Sequence, residues 1–263
     1  MEKNKFNERV ERELVSHTEK DVLGESYKLK NKFSHIWTYP SRVRLFSVMD
    51  ELSKETKGKV VLDYGCGRGI ESVKYLENGA KKVIGIDISP IYIEHAKNMA
   101  IEKGFESDSF EFIAMDAHKL LFEDEMFDLV IGCGILHHLE PEVALNEIFR
   151  VLKKDGRVLL QEPLADNPLL KLFRLLTPQA RTIDEAPFTG KQVENFLLKN
   201  NWKSEIIYCG LIEAPLALIT SFIMPSNPQN WILKFADKIE KYLHRNRILD
   251  SWNQYILFNM KKR

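Results

Sequence analysis

Short apolar runs alternate with segments of helical spacing from Lys59 to residue 163, and this alternation constrains the fold more than any other feature. Runs of strand length are separated by helical segments and lie at residues 60–62, 83–86, 110–114, 127–131 and 157–161. Strands that alternate with helices form βαβ units, and near-continuous apolar strands are covered on both faces. The pattern predicts an α/β fold with a mostly parallel sheet between two layers of helices.

The flanking segments predict how the chain is divided. Residues 1–57 show scattered helical spacing, so we expect a helical N-terminal cap segment followed by one domain over residues 58–263. Two later strands are expected at residues 205–209 and 255–260. Between them, residues 211–250 are apolar and then amphipathic, and we expect this insertion to act as a lid. The four prolines at residues 163–187 predict a loop.

Composition excludes several functional classes. Lys+Arg and Asp+Glu each number 38, so the net charge is zero, and we expect no nucleic-acid partner. The cysteines, Cys66, Cys133 and Cys209, form no C-x-x-C pair, so neither a metal site nor a disulfide framework is expected. The sequence shows no signal peptide and no apolar segment of membrane-spanning length. We therefore expect a cytoplasmic protein without a transmembrane segment.

A glycine-rich turn follows the first apolar run and precedes a helical segment. It reads Asp63-Tyr64-Gly65-Cys66-Gly67-Arg68-Gly69. Glycines at such a turn allow the backbone to pass close to a ligand. Dinucleotide-binding folds carry G-x-G-x-x-G here, whereas this chain has G-x-G-x-G preceded by an acid. The turn predicts a ligand site that includes Asp63, Tyr64, Gly65, Gly67 and Gly69; the alternative is an ordinary tight turn.

The order and spacing of five such motifs resemble class I S-adenosylmethionine-dependent methyltransferases, in particular the small-molecule, type 11-like group. Asp63–Gly69 resembles their first motif, Ile84–Ser89 the second and Met115–Ala117 the third. Residues 127–139 resemble the fourth motif with its loop, and residues 152–157 resemble the turn before the fifth strand. The resemblance implies S-adenosylmethionine as cofactor and a Rossmann-like doubly wound, seven-stranded sheet. The implied strand order is 3-2-1-4-5-7-6, with the last strand antiparallel.

The same resemblance implies roles for individual residues. Asp87, next to Ile88, would hold the ribose hydroxyls, because a carboxylate can accept two hydrogen bonds from a diol. Asp116, next to Ala117, would meet the adenine amino group. Cys133 falls in a cofactor loop after the fourth strand.

Candidate catalytic residues follow the fourth and fifth strands, at the sheet edge where α/β folds bind ligands. They are His137, His138 and Glu162. One histidine could act as a general base or orient the acceptor, and Glu162 could face the acceptor. The alternatives are a histidine that caps a loop or packs on the adenosyl group, and a surface carboxylate at a turn.

The resemblance implies methyl transfer to a small-molecule acceptor, with oxygen as the first expectation. C-methylation of a lipid or quinone-like acceptor, a non-catalytic scaffold that binds the cofactor, and methylation of RNA or protein stay open as alternatives. Aromatic residues in both flanking segments predict a partly apolar acceptor between them: Tyr27, Trp37, Tyr39, Phe222, Trp231 and Phe235. The apolar run at residues 211–225 would suit a homodimer face or shallow membrane contact, although a lid helix packed on the sheet is favoured.

Overall fold

A computed structural model of the chain describes residues 8, 11–15, 28, 31–178, 184–199, 202–243 and 249–262. Its centre is a seven-stranded sheet with the order β3-β2-β1-β4-β5-β7-β6. The strands are β1 (Val60–Tyr64), β2 (Lys82–Asp87), β3 (Phe110–Ala114), β4 (Phe127–Cys133), β5 (Leu152–Pro163), β6 (Lys203–Cys209) and β7 (Tyr255–Lys261). β7 pairs antiparallel with both β5 and β6, and the other pairs are parallel. The predicted order and orientation are confirmed.

Helices cover both faces of the sheet. They are α1 (Pro40–Ser53), α2 (Ile70–Glu77), α3 (Pro90–Glu102), α4 (Pro141–Val151), α5 (Pro168–Leu176), α6 (Gly190–Lys199), α7 (Glu213–Ile223) and α8 (Trp231–Leu243). Neighbouring residues of one strand enter opposite apolar clusters: Val61 packs with α1, α2 and α3, whereas Leu62 packs with α4 and α6. Both clusters are buried, as the continuous apolar strands predict.

Side chains at the helix starts explain where two of the helices begin. Ser89 accepts a hydrogen bond from the backbone N–H of Tyr92 at 3.4 Å, and proline occupies the first position of α3. Before α6, the backbone N–H of Thr189 donates to Gln192 Oε1 at 2.9 Å, and that of Gln192 donates to Thr189 Oγ1 at 3.3 Å. This reciprocal pair is the capping box that the sequence predicts.

The prediction of a loop over residues 163–187 is wrong for its central part, which forms α5. The Asn167 side chain accepts hydrogen bonds from the backbone N–H groups of Leu169 and Leu170, and Pro168 occupies the first helical position. A proline at that position starts a helix, because its missing N–H would have no intrahelical partner there. The prolines therefore mark a helix start here rather than an irregular segment.

The described part of the N-terminal segment packs against α7 and α8. His35 Nδ1 lies 2.9 Å from Thr220 Oγ1, and Arg44 forms an ion pair with Asp237. The division into a cap at residues 1–57 and a domain at 58–263 stays a prediction, and Tyr27 lies outside the described residues. Among the helices of the described residues, none has the length and apolar character needed to cross a membrane.

Two buried carboxylates join α1, α7 and α8. Glu213 accepts from the backbone N–H of Ser41 at 3.1 Å, and Glu240 accepts from the Ser41 hydroxyl at 3.1 Å. Glu240 also accepts from the backbone N–H of Gly210 at 2.7 Å and of Ile212 at 2.9 Å. Burial, and then the charge of Glu240, raise the pKa of Glu213 from 4.5 to about 7. Ionising Glu213 inside this buried junction therefore costs free energy.

Replacing Glu213 with glutamine should stabilise the protein at neutral and alkaline pH. The folded state binds the Glu213 proton more tightly than the unfolded state, so the free energy of unfolding falls as pH rises from 4.5 to about 7. Glutamine cannot ionise and still offers an oxygen to Ser41. Above that range we expect a gain of about 1–3 kcal/mol by chemical denaturation. Glu194→Gln, at an exposed position of α6, is the control. Equal pH dependence in Glu213→Gln and the unchanged chain would contradict this explanation.

Candidate active site

A cavity of about 380 Å³ opens at the carboxyl ends of β1, β2, β3 and β4, the part of the sheet where strand order reverses. Its apolar wall is formed by Ile70, Ile86, Ile88, Tyr92, Met115, Ala117, Ile135 and Leu139. Its polar side chains are Glu13, Arg68, Asp87, Asp116, His118, Cys133 and His138. A mostly apolar cleft with a few polar groups has the character of a small-molecule site.

The glycines of the turn after β1 serve different purposes. All three have positive φ angles: 80° at Gly65, 51° at Gly67 and 82° at Gly69. A Cβ at Gly65 would lie 2.9 Å from Ile135, and one at Gly69 would lie 2.6 Å from the Cβ of Ala96. Nothing lies within 4 Å of a Cβ built on Gly67, so its backbone borders open space in the cavity. Gly69 is therefore needed for packing between α2 and α3, whereas Gly67 leaves room for a ligand.

Asp87 ends β2 and points into this turn. Its Oδ2 accepts from the backbone N–H of Gly67 at 3.0 Å, and its Oδ1 accepts from the backbone N–H of Ser89 at 2.9 Å. Each carboxylate oxygen has a further lone pair, so both can also accept from a diol in the cavity. The neighbouring Ile88 contributes to the apolar wall. Asp87 thus links the glycine turn to the start of α3.

Asp116 follows β3 and is oriented by His118. Asp116 Oδ1 accepts from the backbone N–H of His118 at 2.9 Å and from its Nδ1 at 2.7 Å. Because His118 Nε2 accepts from the backbone N–H of Glu140, the imidazole is neutral with its proton on Nδ1. Burial raises the pKa of Asp116, but the hydrogen bonds from His118 outweigh it, and the pKa lies below its usual value. Asp116 is therefore an ionised acceptor beside Ala117 in the wall.

Asp63 and Tyr64, both predicted cofactor residues, lie behind the cavity wall. Asp63 is buried and accepts from the Ser72 hydroxyl at 2.5 Å. Burial raises the pKa of Asp63 to about 7. The fully buried Tyr64 donates its hydroxyl to the backbone oxygen of Ala117 at 2.5 Å. The polar groups of both residues therefore form hydrogen bonds inside the protein. Asp63 connects β1 to α2 through Ser72, and Tyr64 connects β1 to the wall segment at Ala117.

Glu162, at the end of β5, organises the turn after β4. Its fully buried carboxylate accepts from the backbone N–H groups of Ile135 at 3.1 Å and Leu136 at 2.8 Å. His137 Nδ1 lies 2.7 Å from Glu162 Oε2, and the His137 ring is also buried. Neither side chain lines the cavity. This buried pair fixes the short 3₁₀ turn Leu136–His138, and the last residue of that turn, His138, reaches the cavity.

His138 is the predicted catalytic residue that reaches the cavity wall. Its Nδ1 lies 3.2 Å from Glu13 Oε2, and its ring centroid lies 4.2 Å from that of His137. Glu185 lies beside the two histidines. One of its carboxylate oxygens is within 4.8 Å of a ring nitrogen of each, so the three side chains could hold a metal ion. Cys133 lines the cavity nearby and donates its thiol to Gln161 Oε1 at 2.9 Å.

Sequence reasoning missed several wall residues. His118, Arg68 and Tyr92 line the cavity, and the Arg68 guanidinium lies 5.3 Å from the centroid of the Tyr92 ring. Arg68 could have been found, since it lies inside the glycine turn. Glu13 comes from a distant helical stretch at residues 11–15, and no local pattern connects it with the sheet edge. Of the described residues at 211–243 and 249–250, none lines this cavity, so their role as a lid stays a prediction.

Comparison with known proteins places this geometry in a family. A family model for a methyltransferase domain matches residues 55–208, which is more than half of the chain. The chain belongs to the class I S-adenosylmethionine-dependent methyltransferases. Its first and fourth motifs, with the glycine turn and the histidine pair, lie inside the matched region.

Relatives of this methyltransferase act on different acceptors. Demethylmenaquinone methyltransferase of Lactococcus lactis is 30% identical over 204 residues, which cover 75% of either chain. Ribosomal protein L11 methyltransferase of Haemophilus ducreyi is 34% identical over 165 residues, or 63% of this chain and 50% of that protein. The chain thus spans about half the length of the L11 methyltransferases that it matches.

A solved structure shows the same fold. Phosphoethanolamine N-methyltransferase 2 of Haemonchus contortus, with S-adenosylhomocysteine, superposes with a TM-score of 0.63 and 16% identity. The match covers 95% of this chain and 59% of that one. At this identity the likeness concerns the fold of the methyltransferase and not its acceptor.

S-adenosylmethionine is the methyl donor of this family, and the cavity of this methyltransferase suits it. The open space at Gly67 leaves room for a ligand against the backbone, and Asp87 beside it can accept from a diol. Asp116 offers a carboxylate to an amino group, and Ile86 and Ile88 provide apolar contact for a flat ring. These donor and acceptor types match adenosine.

Proposed function

We propose that the chain transfers the methyl group of S-adenosylmethionine to a small, partly apolar acceptor through an oxygen atom, with His138 as general base. The observation that carries the proposal is that His138 shares one cavity with Gly67, Asp87 and Asp116. The cofactor supplies an electrophilic methyl group on a positively charged sulfur. The residues of the chain then have to bind, align and deprotonate the acceptor.

The proposed cofactor contacts divide the cavity. We assign the ribose to Asp87 and Ile88, the adenine to Asp116 and Ala117, and the methionyl end to the turn at Gly65 and Gly67. Arg68, next to Gly67, is suited to pair with the methionyl carboxylate. We assign Cys133 to the acceptor side, because it ends β4 and directly precedes the turn that carries His138.

His138 is assigned as the base because its ring borders the cavity while that of His137 is buried. Glu13 lies 3.2 Å from His138 Nδ1 and would stabilise the imidazolium that forms when Nε2 takes the hydroxyl proton. The acceptor oxygen, once deprotonated, would receive the methyl group that the cofactor supplies, and the cofactor sulfur would leave as a neutral thioether. His137 and Glu162 are positioning residues in this scheme.

C-methylation of a quinone-like acceptor is the second candidate. The relative from Lactococcus lactis, matched over 75% of either chain, is named a demethylmenaquinone methyltransferase. The same base would serve, because removing a proton from a ring hydroxyl also makes the adjacent ring carbon nucleophilic. The largely apolar wall, with Ile135 and Leu139 beside His138, is compatible with either acceptor.

Product analysis should separate these candidates. Incubation with ¹³C-methyl-labelled cofactor and a panel of hydroxy-aromatic compounds, including reduced demethylmenaquinone, should give labelled products. Nuclear magnetic resonance then shows whether the labelled methyl is bonded to oxygen or carbon. An O-methyl product supports the first proposal and a C-methyl product the second. Label transferred to neither class, in an assay where cofactor binding is measured, would contradict both and favour a scaffold.

We also propose that the protein works in the cytoplasm. Cys66, Cys133 and Cys209 are free thiols, which supports a reducing compartment.

A further inference from the structure

Three neighbouring helices expose continuous apolar stripes. The exposed side chains are Leu169, Leu172, Leu175 and Leu176 of α5, Ile219, Phe222 and Ile223 of α7, and Trp231, Phe235, Ile239 and Tyr242 of α8. Each is between 37% and 72% exposed. Within each helix they recur mainly at intervals of three or four residues, which places them on one face. Apolar patches of this extent mark interaction sites.

The stripes lie on one side of the molecule. Leu170 of α5, Ala217 of α7 and Leu233 of α8 are buried in the same apolar cluster, so the three helices turn their inner faces toward a common core. The Phe33 ring bridges α5 and α7, with centroids 5.0 Å from Phe173 and 5.1 Å from Phe222. Because α7 neighbours both α5 and α8, the exposed faces of the three helices adjoin one another, and together we call them the α5–α7–α8 surface.

The acidic and basic side chains of these helices differ in exposure. The acids of α7 and α8, Glu213, Asp237 and Glu240, are buried. The basic residues of α5 and α8 are exposed or partly exposed: Lys171, Arg174, Lys234, Lys238 and Lys241, of which Lys241 forms an ion pair with Asp237 at 2.8 Å. In a chain with zero net charge, this surface presents cations around an apolar stripe. Aromatic and aliphatic side chains flanked by lysines are typical of helices that lie in a membrane interface, where lysine stems extend to the headgroups.

We propose that the α5–α7–α8 surface docks the protein on an anionic lipid bilayer, with the apolar stripes in the interface and the lysines on the headgroups. The charge pattern favours a membrane over a second copy of the chain, since two such surfaces would bring cations together. The proposal goes beyond methyl transfer, and no residue of this surface lines the active-site cavity.

The test is vesicle flotation of the full chain with phosphatidylcholine vesicles, with and without phosphatidylglycerol, at low and high salt. Binding should require the anionic lipid and fall at high salt. The double variant Lys234→Glu, Lys238→Glu should weaken binding by about 25-fold or more, at about fivefold per lysine. Phe235→Ser should weaken it by roughly tenfold through lost apolar burial.

Matched controls keep the result specific. The double variant Lys97→Glu, Lys103→Glu changes the same charge on α3 and beyond its end, and Leu121→Ser removes an exposed apolar residue elsewhere. Both should bind like the unchanged chain. Absence of flotation with anionic vesicles, or equal loss in variants and controls, would overturn the proposal. Sedimentation showing a dimer that Phe235→Ser dissociates would also overturn it, since a second copy would then cover the surface. Because the assay uses neither acceptor nor cofactor, its failure is distinguishable from failure of the proposed chemistry.

Discussion

Replacing His138 with alanine should lower the maximal rate of methyl transfer by about 10²- to 10⁴-fold, the usual contribution of a general base. Cofactor affinity should stay close to that of the unchanged chain, since Asp87 and the glycine turn keep their contacts with one another. The acidic limb of the rate–pH profile should disappear, because the group that must be neutral is gone. The measurement is single-turnover kinetics across pH with an acceptor identified by product analysis.

The His138 prediction has a direct control and a rescue experiment. His95→Ala, an exposed position on α3, should leave the rate unchanged. Added imidazole should restore part of the rate in His138→Ala, because the deleted ring leaves space in the cavity wall. An unchanged rate and pH profile in His138→Ala would mean that alignment alone drives transfer. Loss of activity on dialysis against a chelator would instead indicate a metal ion held by His137, His138 and Glu185.

His137 should behave differently from His138. Its loss leaves the Glu162 carboxylate buried without the contact at 2.7 Å, so His137→Ala should lower stability as well as rate. Glu162→Gln keeps an acceptor for the backbone N–H groups of Ile135 and Leu136, so it should retain more activity. Both substitutions should keep the acidic limb of the rate–pH profile. That result is expected of positioning residues, whereas removal of the base would abolish the limb.

Replacing Asp87 with alanine should weaken binding of S-adenosylmethionine by roughly 10- to 150-fold. This corresponds to about 1.5–3 kcal/mol, the usual range for hydrogen bonds to a charged group. The substitution also removes the acceptor for the backbone N–H groups of Gly67 and Ser89, so the glycine turn loses support. Asp87→Asn keeps one oxygen acceptor and should lose less affinity. Calorimetry with the cofactor measures each constant.

Asp108→Ala, an exposed acid in the loop before β3, is the control for Asp87 and should bind the cofactor normally. Equal affinity in Asp87→Ala and the unchanged chain would show that the ribose is held elsewhere. Tighter binding of NAD than of S-adenosylmethionine by the unchanged chain would contradict the donor assignment itself.

The parts of the site that sequence reasoning located are those with local causes. Gly65 and Gly67 belong to the turn after β1, and Asp87 ends β2. Each of these features is recognisable from a short continuous stretch of sequence, and all three residues line the cavity. Asp63 and Gly69 belong to the same turn and were predicted as cofactor-binding residues for the same reason. The Asp63 carboxylate contacts Ser72, and the absence of a Cβ at Gly69 accommodates Ala96. Motif membership does not reveal which neighbour a side chain faces, because that depends on how α2 and α3 pack.

The sequence by itself determined the α/β class, the strand order through its motif resemblance, and the turn after β1, because these follow from periodicity, glycine conformation and chain order. Only the tertiary structure shows that His138 borders the cavity whereas the His137 ring is buried behind it, which is the basis for proposing His138 as the base. Adjacent residues in a 3₁₀ turn point in different directions, and the buried Glu162, distant in sequence, holds one of them inside. Tertiary packing likewise decided the character of the α5–α7–α8 surface. Glu213 and Glu240 are buried against α1, where Ser41 donates a hydrogen bond to each, whereas the lysines of α8 are exposed.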